Sequence, residues 1–418
     1  MAYQPRIVDA ELRERLERSG AVLIEGPKAS GKTETARQVS ASEVRIDVDP
    51  NVRLQFEVDP NLILQGPTPR LIDEWQVLPE LWNYVRRQID DRKTNGQFIL
   101  TGSANPVEDH AQHTGLGRFS VMRMRPMSLL ESGHSTGEVS LRAILGGDQP
   151  LTSTLSDDLT SLHFWAERLA TGGWPSNHGA SVRSAVGWVR DYLQLLREVD
   201  LSRVSNRRRD PLKVLALLQS VARNVATEAG VKTLADDAAE HGEPLDRNTV
   251  ADYLAALTRL MVLEDQPAWS TRLRSSAALR QTPKRHFVDP SLAVAALAAS
   301  PSSLTDDLEY MGLLFESLVI RDLRVYGQPL EARISHFRAS DGSEVDAIIS
   351  LPDGNWAAAE VKLGFRAVDT AAKSLQRLAA AVHDTVRQPV ALIVITGSGF
   401  SHRRRDGVTV VPLSALRA

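Results

Sequence analysis

Eight consecutive residues, Gly26-Pro27-Lys28-Ala29-Ser30-Gly31-Lys32-Thr33, fit the spacing G-x-x-x-x-G-K-[ST]. Such a loop lets backbone N–H groups wrap an anion, while the lysine meets β- and γ-phosphates and the hydroxyl suits a hard divalent cation. An apolar run, Ala21–Ile24, enters the loop, and Glu34–Ser40 can continue as a helix whose N-terminus faces the phosphates. The chemistry indicated is binding of ATP or ADP with Mg2+, with Gly26 through Glu34 around the phosphates, Lys32 on the β/γ-phosphates and Thr33 on the metal. A partner carboxylate is then required. Pro69-Arg70-Leu71-Ile72-Asp73-Glu74 supplies two acidic groups at the end of a short apolar strand. Asp73 would hold the metal's water shell and Glu74 would orient the attacking water. A further strand, Phe98–Leu100, ends in Thr101-Gly102-Ser103, which offers hydroxyls to a γ-phosphate or simply closes a polar turn. Arg118, after Gly115-Leu116-Gly117, is either a surface charge or a finger reaching the nucleotide of a neighbouring subunit, the latter implying a homo-oligomer.

A second constellation lies near the C-terminus. Ser343-Glu344-Val345-Asp346 precedes Glu360-Val361-Lys362, and residues two apart on a strand project to one face. With Asp346 on the neighbouring strand, two carboxylates and an amine converge. Asp346 and Glu360 are then candidate Mg2+ ligands, Lys362 can activate water or stabilise a developing phosphorane, and Glu316 on the preceding helix is a plausible fourth member. The competing reading is an ordinary surface ion pair on an edge strand.

The elements that hold these residues follow from periodicity. Around the phosphate loop the pattern reads strand, loop, helix, strand (Val44–Val48), strand (Arg70–Ile72), helix (Pro79–Asp91), strand (Gln97–Leu100), which is that of a parallel α/β sheet. Residues 132–160 are rich in Gly, Ser and Thr and mark a boundary. From 160 to 300 the pattern is mostly helical: a short helix at Thr233–Glu240, a longer one at 246–261 with Asp246 as cap, then strands Val262–Trp269 and Lys284–Val288. That order predicts a winged helix-turn-helix. A helix, Leu308–Leu323, then leads into strands Arg333–Arg338, Glu344–Ser350 and Trp356–Val361, a helix (Thr370–His383) and a last strand, Val390–Ile395. Three domains are expected, at 1–150, 151–300 and 301–418.

Composition narrows the functions. Cys is absent from all 418 residues, which removes disulfides, thiolate nucleophiles and cysteine-ligated metals and suits a reducing cytoplasm. Net charge is −3, and divides as −3, +1 and −1 over 1–150, 151–300 and 301–418, so no third is a basic nucleic-acid domain by bulk charge. No apolar run approaches a bilayer span, and the N-terminus lacks a signal-like apolar stretch, so no membrane association is expected.

The phosphate loop, Leu71-Ile72-Asp73-Glu74-Trp75-Gln76, Leu100-Thr101-Gly102-Ser103, Gly117-Arg118, Arg125-Pro126-Met127-Ser128, Gly172-Gly173-Trp174-Pro175 and Pro283-Lys284 through Phe287-Val288-Asp289-Pro290 together resemble prokaryotic ATP-binding proteins that join an AAA-type ATPase to a C-terminal domain of uncharacterised function. The likeness covers nearly the whole chain. It implies Walker A roles for Lys32 and Thr33, Walker B roles for Asp73 and Glu74, and a sensor role for Ser103 or Thr101. Glu316, Asp346, Glu360 and Lys362 resemble in turn the restriction-endonuclease-like core, whose pattern is an Asp, then Glu-x-Lys, with a helical Glu ahead.

Weaker signals are read blandly: His110 and His113 as solvated, Arg207-Arg208-Arg209 and Arg403-Arg404-Arg405 as solvated loops that could touch phosphates, Trp174 and Trp269 as core anchors. Arg247 and Asn248 open the second helix of the helix-turn-helix, yet Asp236, Asp237, Glu240 and Glu243 beside them favour protein contact over tight DNA binding. The expected function is Mg2+-dependent ATP hydrolysis coupled to a nuclease-like domain acting on DNA or RNA; the alternative is a nucleotide-gated regulator that binds DNA or a partner protein through an inactive nuclease-like fold.

Overall fold

A computed structural model describes residues 3–102, 115–148, 157–201, 209–242, 244–270, 282–339, 341–382 and 387–418. Five strands, β1 (Ala21–Glu25), β2 (Ser42–Arg45), β3 (Arg70–Asp73), β4 (Phe98–Gly102) and β5 (Phe119–Arg123), form a sheet of order β2-β3-β4-β1-β5 in which every pairing is parallel. Alternate residues go to opposite faces. Val22, Ile24, Leu71 and Ile99 pack against Val8, Leu12 and Leu16 of the helix Val8–Arg18, whereas Leu23, Ile72, Phe98 and Leu100 pack against Val85 and Ile89 of the helix Leu81–Arg92. Covering both faces is what makes these strands continuous apolar runs in sequence. β2 stops at Arg45, short of the expected Val48, because Asp49 N–H turns back to the Arg45 carbonyl, and a helix that was not anticipated follows at Asn51–Val58. That helix buries only Val52, so it carries no apolar stripe to read.

The middle region is helical. The helices Leu162–Thr171, Val182–Leu195, Pro211–Arg223 and Arg247–Arg259 are each started by a side-chain cap, from Ser161, Ser181, Asp210 and Asp246 respectively. The helix Val231–His241 precedes the last of these, and an antiparallel hairpin follows, β7 (Leu263–Gln266) with β8 (Lys284–Phe287); β6 is the short strand Val139–Ser140.

The third region begins with the helix Leu308–Gly327, buried along most of its length. It backs a mixed sheet of β9 (Arg333–Arg338), β10 (Glu344–Ser350), β11 (Trp356–Lys362), β12 (Ala391–Thr396), β13 (His402–Arg403) and β14 (Thr409–Pro412), in the order β13-β14-β12-β11-β10-β9. β11, β12 and β14 run parallel; β9, β10 and β11 form an antiparallel meander. The helix Val368–Ala381 covers the other face. One apolar core extends from Leu129 to Leu416 and draws on both sides of residue 300.

A buried ion cluster ties the regions together. Arg321 Nη1 meets Asp289 Oδ2 at 2.7 Å and Nη2 meets Asp322 Oδ1 at 2.7 Å, all three side chains being at most 3% exposed. Asp322 also accepts Leu129 N–H, and Asp289 accepts Gly173 N–H, whose own carbonyl accepts Met127 N–H at 2.6 Å. The segments 125–128, 172–175 and 287–290, scattered in sequence, are one knot in space.

Candidate functional site

The phosphate loop leaves the carboxyl end of β1, where ligands bind in open α/β sheets. Two glycines are obligatory there. Gly31 has φ +97°, and a Cβ on Gly26 would stand 2.3 Å from the Met124 carbonyl oxygen. Lys32 is buried and donates to the Gly26 and Pro27 carbonyls, both at 2.8 Å. Burial pulls its ammonium down to about 8, against the opposing pull of Glu74 and Asp73. β3 and β4 are neighbours in register, Asp73 beside Thr101. Consequently Asp73 Oδ1 accepts both the Thr33 hydroxyl at 2.8 Å and the Thr101 hydroxyl at 2.5 Å. Glu74 follows in the left-handed region, φ 55° and ψ 43°, a conformation that costs a non-glycine residue and aims its side chain away from the strand direction. Burial raises its carboxyl above the usual range, opposed by a hydrogen bond donated from Gln76 and by Lys32. Gln76 is itself packed on Gly102, where a Cβ would come within 2.4 Å of its Oε1.

Two contacts reach the loop from outside the sheet. Arg6 donates to the Ser30 carbonyl at 2.8 Å while ion-paired with buried Glu131 at 3.1 Å. Lys28 pairs at 2.6 Å with Asp200, at the end of the turn Leu196–Asp200 in the middle region.

The C-terminal constellation also converges. Lys362 Nζ stands 2.7 Å from Glu360 Oε2 and 3.4 Å from Asp346 Oδ2, and Asp346 further accepts the Val361 N–H at 2.8 Å. A fifth member comes from β8: Lys284 Nζ lies 2.7 Å from Glu316 Oε1 and 3.6 Å from Asp346 Oδ1, with its side chain 6% exposed. Burial and the Asp346 charge push Glu316 up to about 8 and Glu360 up to about 7. Burial works against ionised Asp346 as well, but Lys362 and Lys284 hold it below its ordinary value. The hairpin is fixed to this site: His286 bridges Ser317 Oγ (3.1 Å) and Gln266 Oε1 (3.0 Å), and Gln266 donates to the Asp346 carbonyl. It is equally fixed to the first sheet, because Glu264 of β7 takes two bonds from Arg125, at 2.9 and 2.6 Å, two residues beyond β5.

Residues 18–132 match the AAA domain family. The matched stretch is the one that carries the five-stranded parallel sheet and the phosphate loop. Residues 162–303 and 311–416 match two further families, described as Domain of unknown function (DUF8612) and Domain of unknown function (DUF4143). The chain is 24% identical over 357 residues to the uncharacterized proteins Rv2008c of Mycobacterium tuberculosis and Mb2031c of Mycobacterium bovis, covering 84% of this chain and 72% of each relative. Among solved structures it is similar to a Walker-type ATPase of Pyrococcus abyssi (14% identity, 69% of this chain and 94% of that one, TM-score 0.40) and a RuvB variant of Thermotoga maritima (16%, 62% and 89%, TM-score 0.27).

Other expected residues of the AAA domain fare differently. Ser103, like His110 and His113, lies outside the described residues. Arg118 sits at the amino end of β5, beside the start of β1, with its guanidinium on Asp90 at 2.9 Å; the strand's length separates it from the phosphate loop of its own chain. Glu34 points outward to Arg37 and offers the phosphates no side chain. The expected Mg2+ ligands Asp346 and Glu360 are met instead by ammonium groups, and among the described residues no three His, Asp or Glu side chains are grouped to hold a metal. Lys284 and Gln76 had no assigned role in the sequence. The signal for Lys284 was its two-residue spacing from His286 on a predicted strand, which sends both to one face. Among the described residues no helix is long and apolar enough to cross a membrane.

Proposed function

We propose that the protein is an Mg2+-dependent ATPase whose nucleotide state is coupled to the C-terminal carboxylate–lysine cluster. The observation that carries this reading is the meeting of the Thr33 and Thr101 hydroxyls on Asp73 beside Lys32 and Glu74 at one sheet edge. The donor set suits the ligands: hard oxygens from a hydroxyl and a carboxylate fit Mg2+, and a buried ammonium held only by carbonyls fits a phosphate. Thr33 and Asp73 would hold the metal, which when bound polarises the terminal phosphoryl group. Lys32 exchanges its two carbonyl partners for phosphate oxygens. Glu74, oriented by Gln76, takes a proton from water as that water attacks the γ-phosphorus; the bond from phosphorus to the bridging oxygen breaks and ADP leaves. Turnover of ATP by the purified chain, abolished in Lys32→Ala and cut severely in Glu74→Gln, is the expected result; turnover indifferent to Lys32→Ala refutes the reading.

For the output we propose a restriction-endonuclease-like third region, adjoining a winged helix-turn-helix formed by the helices Val231–His241 and Arg247–Arg259 and the β7–β8 hairpin. The convergence of Glu316, Asp346, Glu360 and Lys362 supports it. Mn2+- or Mg2+-dependent cutting of DNA or RNA that disappears in Asp346→Ala tests it. The second reading is a nucleotide-gated binder without cleavage, and Lys284 favours it, since its ammonium already neutralises Glu316 and Asp346. An ATP-dependent shift of a nucleic-acid probe with no cutting distinguishes that case.

A further inference from the structure

Immediately beyond the C-terminal cluster three rings stand together at the surface. Phe365 and Phe400 are stacked, their centroids 6.0 Å apart and their planes 25° from parallel, and His402 lies 4.7 Å from Phe400. Both phenylalanines are far more exposed than a core residue, at 38% and 46%.

The stack is held in place. β11 and β12 run parallel with Lys362 beside Thr396, so the loops that follow them leave the same sheet edge. Gly397 N–H donates to the Lys362 carbonyl, and Phe365 N–H donates to Ser398 Oγ. The Phe365 ring lies against Gly399, whose φ is +96° and whose Cβ, were there one, would meet the ring at 2.3 Å. A side chain at 399 would be strained and would displace the ring. Phe365 is three positions beyond Lys362, which limits their Cα separation to about 11 Å.

Charge completes the surface. Arg404 is occupied by Asp369 and Asp406, but exposed Arg366, Arg403 and Arg405 meet no carboxylate among the described residues. Exposed aromatic rings with unneutralised arginines in the same two chain segments, next to a site of carboxylates and lysines, match unpaired bases joined by phosphates. Duplex nucleic acid keeps its base faces stacked internally and has none to offer.

We propose that Phe365, Phe400 and His402, flanked by Arg366, Arg403 and Arg405, form a stacking platform for single-stranded nucleic acid that delivers a strand to the adjacent cluster. Delivery rests on the reading of that cluster as one acting on nucleic acid; the binding itself does not.

The test is fluorescence anisotropy of the full chain in EDTA with labelled oligo-dT, oligo-rU and a mixed-sequence duplex, across a salt series. Both single strands bind more tightly than the duplex, and three arginines on phosphates give a log–log salt slope near ~−2. Phe365→Ala with Phe400→Ala weakens single-strand binding by about tenfold or more, with the melting temperature and ATP turnover unchanged. Phe400→Trp retains binding, and its emission is quenched by the oligonucleotide. Equal or tighter binding to the duplex, an unweakened double alanine variant, or no binding of any probe overturns the proposal. Asp346→Ala separates the two readings: it binds as the wild type does in EDTA. If wild type binds through its rings yet cuts nothing with Mn2+, the nuclease reading fails and the platform stands.

Discussion

Gln76 offers the sharpest test of the ATPase reading, because its role depends on geometry and on nothing in the Walker pattern. Its amide donates to Glu74, and its own Oε1 is buried without a partner among the described residues. Gln76→Leu therefore removes one donor to a carboxylate and leaves no orphan on the residue replaced, so the fold persists. A hydrogen bond to a charged group contributes about 1.5–3 kcal/mol, which corresponds to roughly 1–2 pH units on the carboxyl and on the order of tenfold to a hundredfold in rate. The sign follows from the state that works. Glu74 acts as a base when ionised, burial already raises its pKa, and the Gln76 bond lowers it. Without that bond the acidic limb of kcat against pH moves to higher pH, while KM for ATP changes little because Lys32 and the loop are untouched. Gly102→Ala reaches the same end by another route, since its Cβ would displace Gln76. Steady-state phosphate release from pH 5.5 to 9 reads both variants. A fall in kcat with the acidic limb unmoved, or an effect confined to KM, refutes the assignment of Glu74 as the base held by Gln76.

Three further outcomes are expected. Asp200→Asn frees Lys28 from a half-exposed pair, so it alters stability by less than about 1 kcal/mol; affinity for a fluorescent ATP analogue rises several-fold as Lys28 turns to the phosphates, and unchanged affinity rejects the idea. Gly173→Ala would set a Cβ 2.0 Å from the Met127 carbonyl oxygen and open the Arg321 knot, at a cost of about 3 kcal/mol or more, read as a lowered thermal midpoint or insoluble protein. Lys284→Met removes the donor to buried Glu316 and leaves that carboxyl unpaired, at a cost of about 1–3 kcal/mol, and Glu316→Leu in the same chain restores most of it; urea melts of the single and double variants check the pair.

What was legible in the sequence was local. The phosphate loop is eight contiguous residues whose spacing can be read directly, and the strand that delivers Asp73 and Glu74 is an apolar run with acids at its end. Glu360 and Lys362 met as two-residue spacing on a strand requires, at 2.7 Å. The helix start at Asp246 is written in a single capping side chain. The illegible parts depend on packing across distance. Nothing near Lys284 announces that Glu316 will face it, and Arg321 reads as one more arginine on a helix until Asp289 closes on it. Gln76 matters only because Glu74 takes a left-handed backbone, which no spacing reveals.

The two sites differ in how their charges are satisfied, and that difference orders events. Lys32 is held by two neutral carbonyls, so at the proposed nucleotide site no ion pair of Lys32 has to break before a phosphate is met. Lys284 and Lys362 are held by ionised or ionisable carboxylates at 2.7 Å, which no cation can replace without first moving an ammonium. Lys362 shares the sheet with its partners. Lys284 belongs to a hairpin whose other strand is clamped through Glu264 to Arg125, next to β5 of the first sheet. On the proposed coupling, a nucleotide-dependent shift of β5 would be carried through Arg125 and Glu264 into the hairpin that holds Lys284.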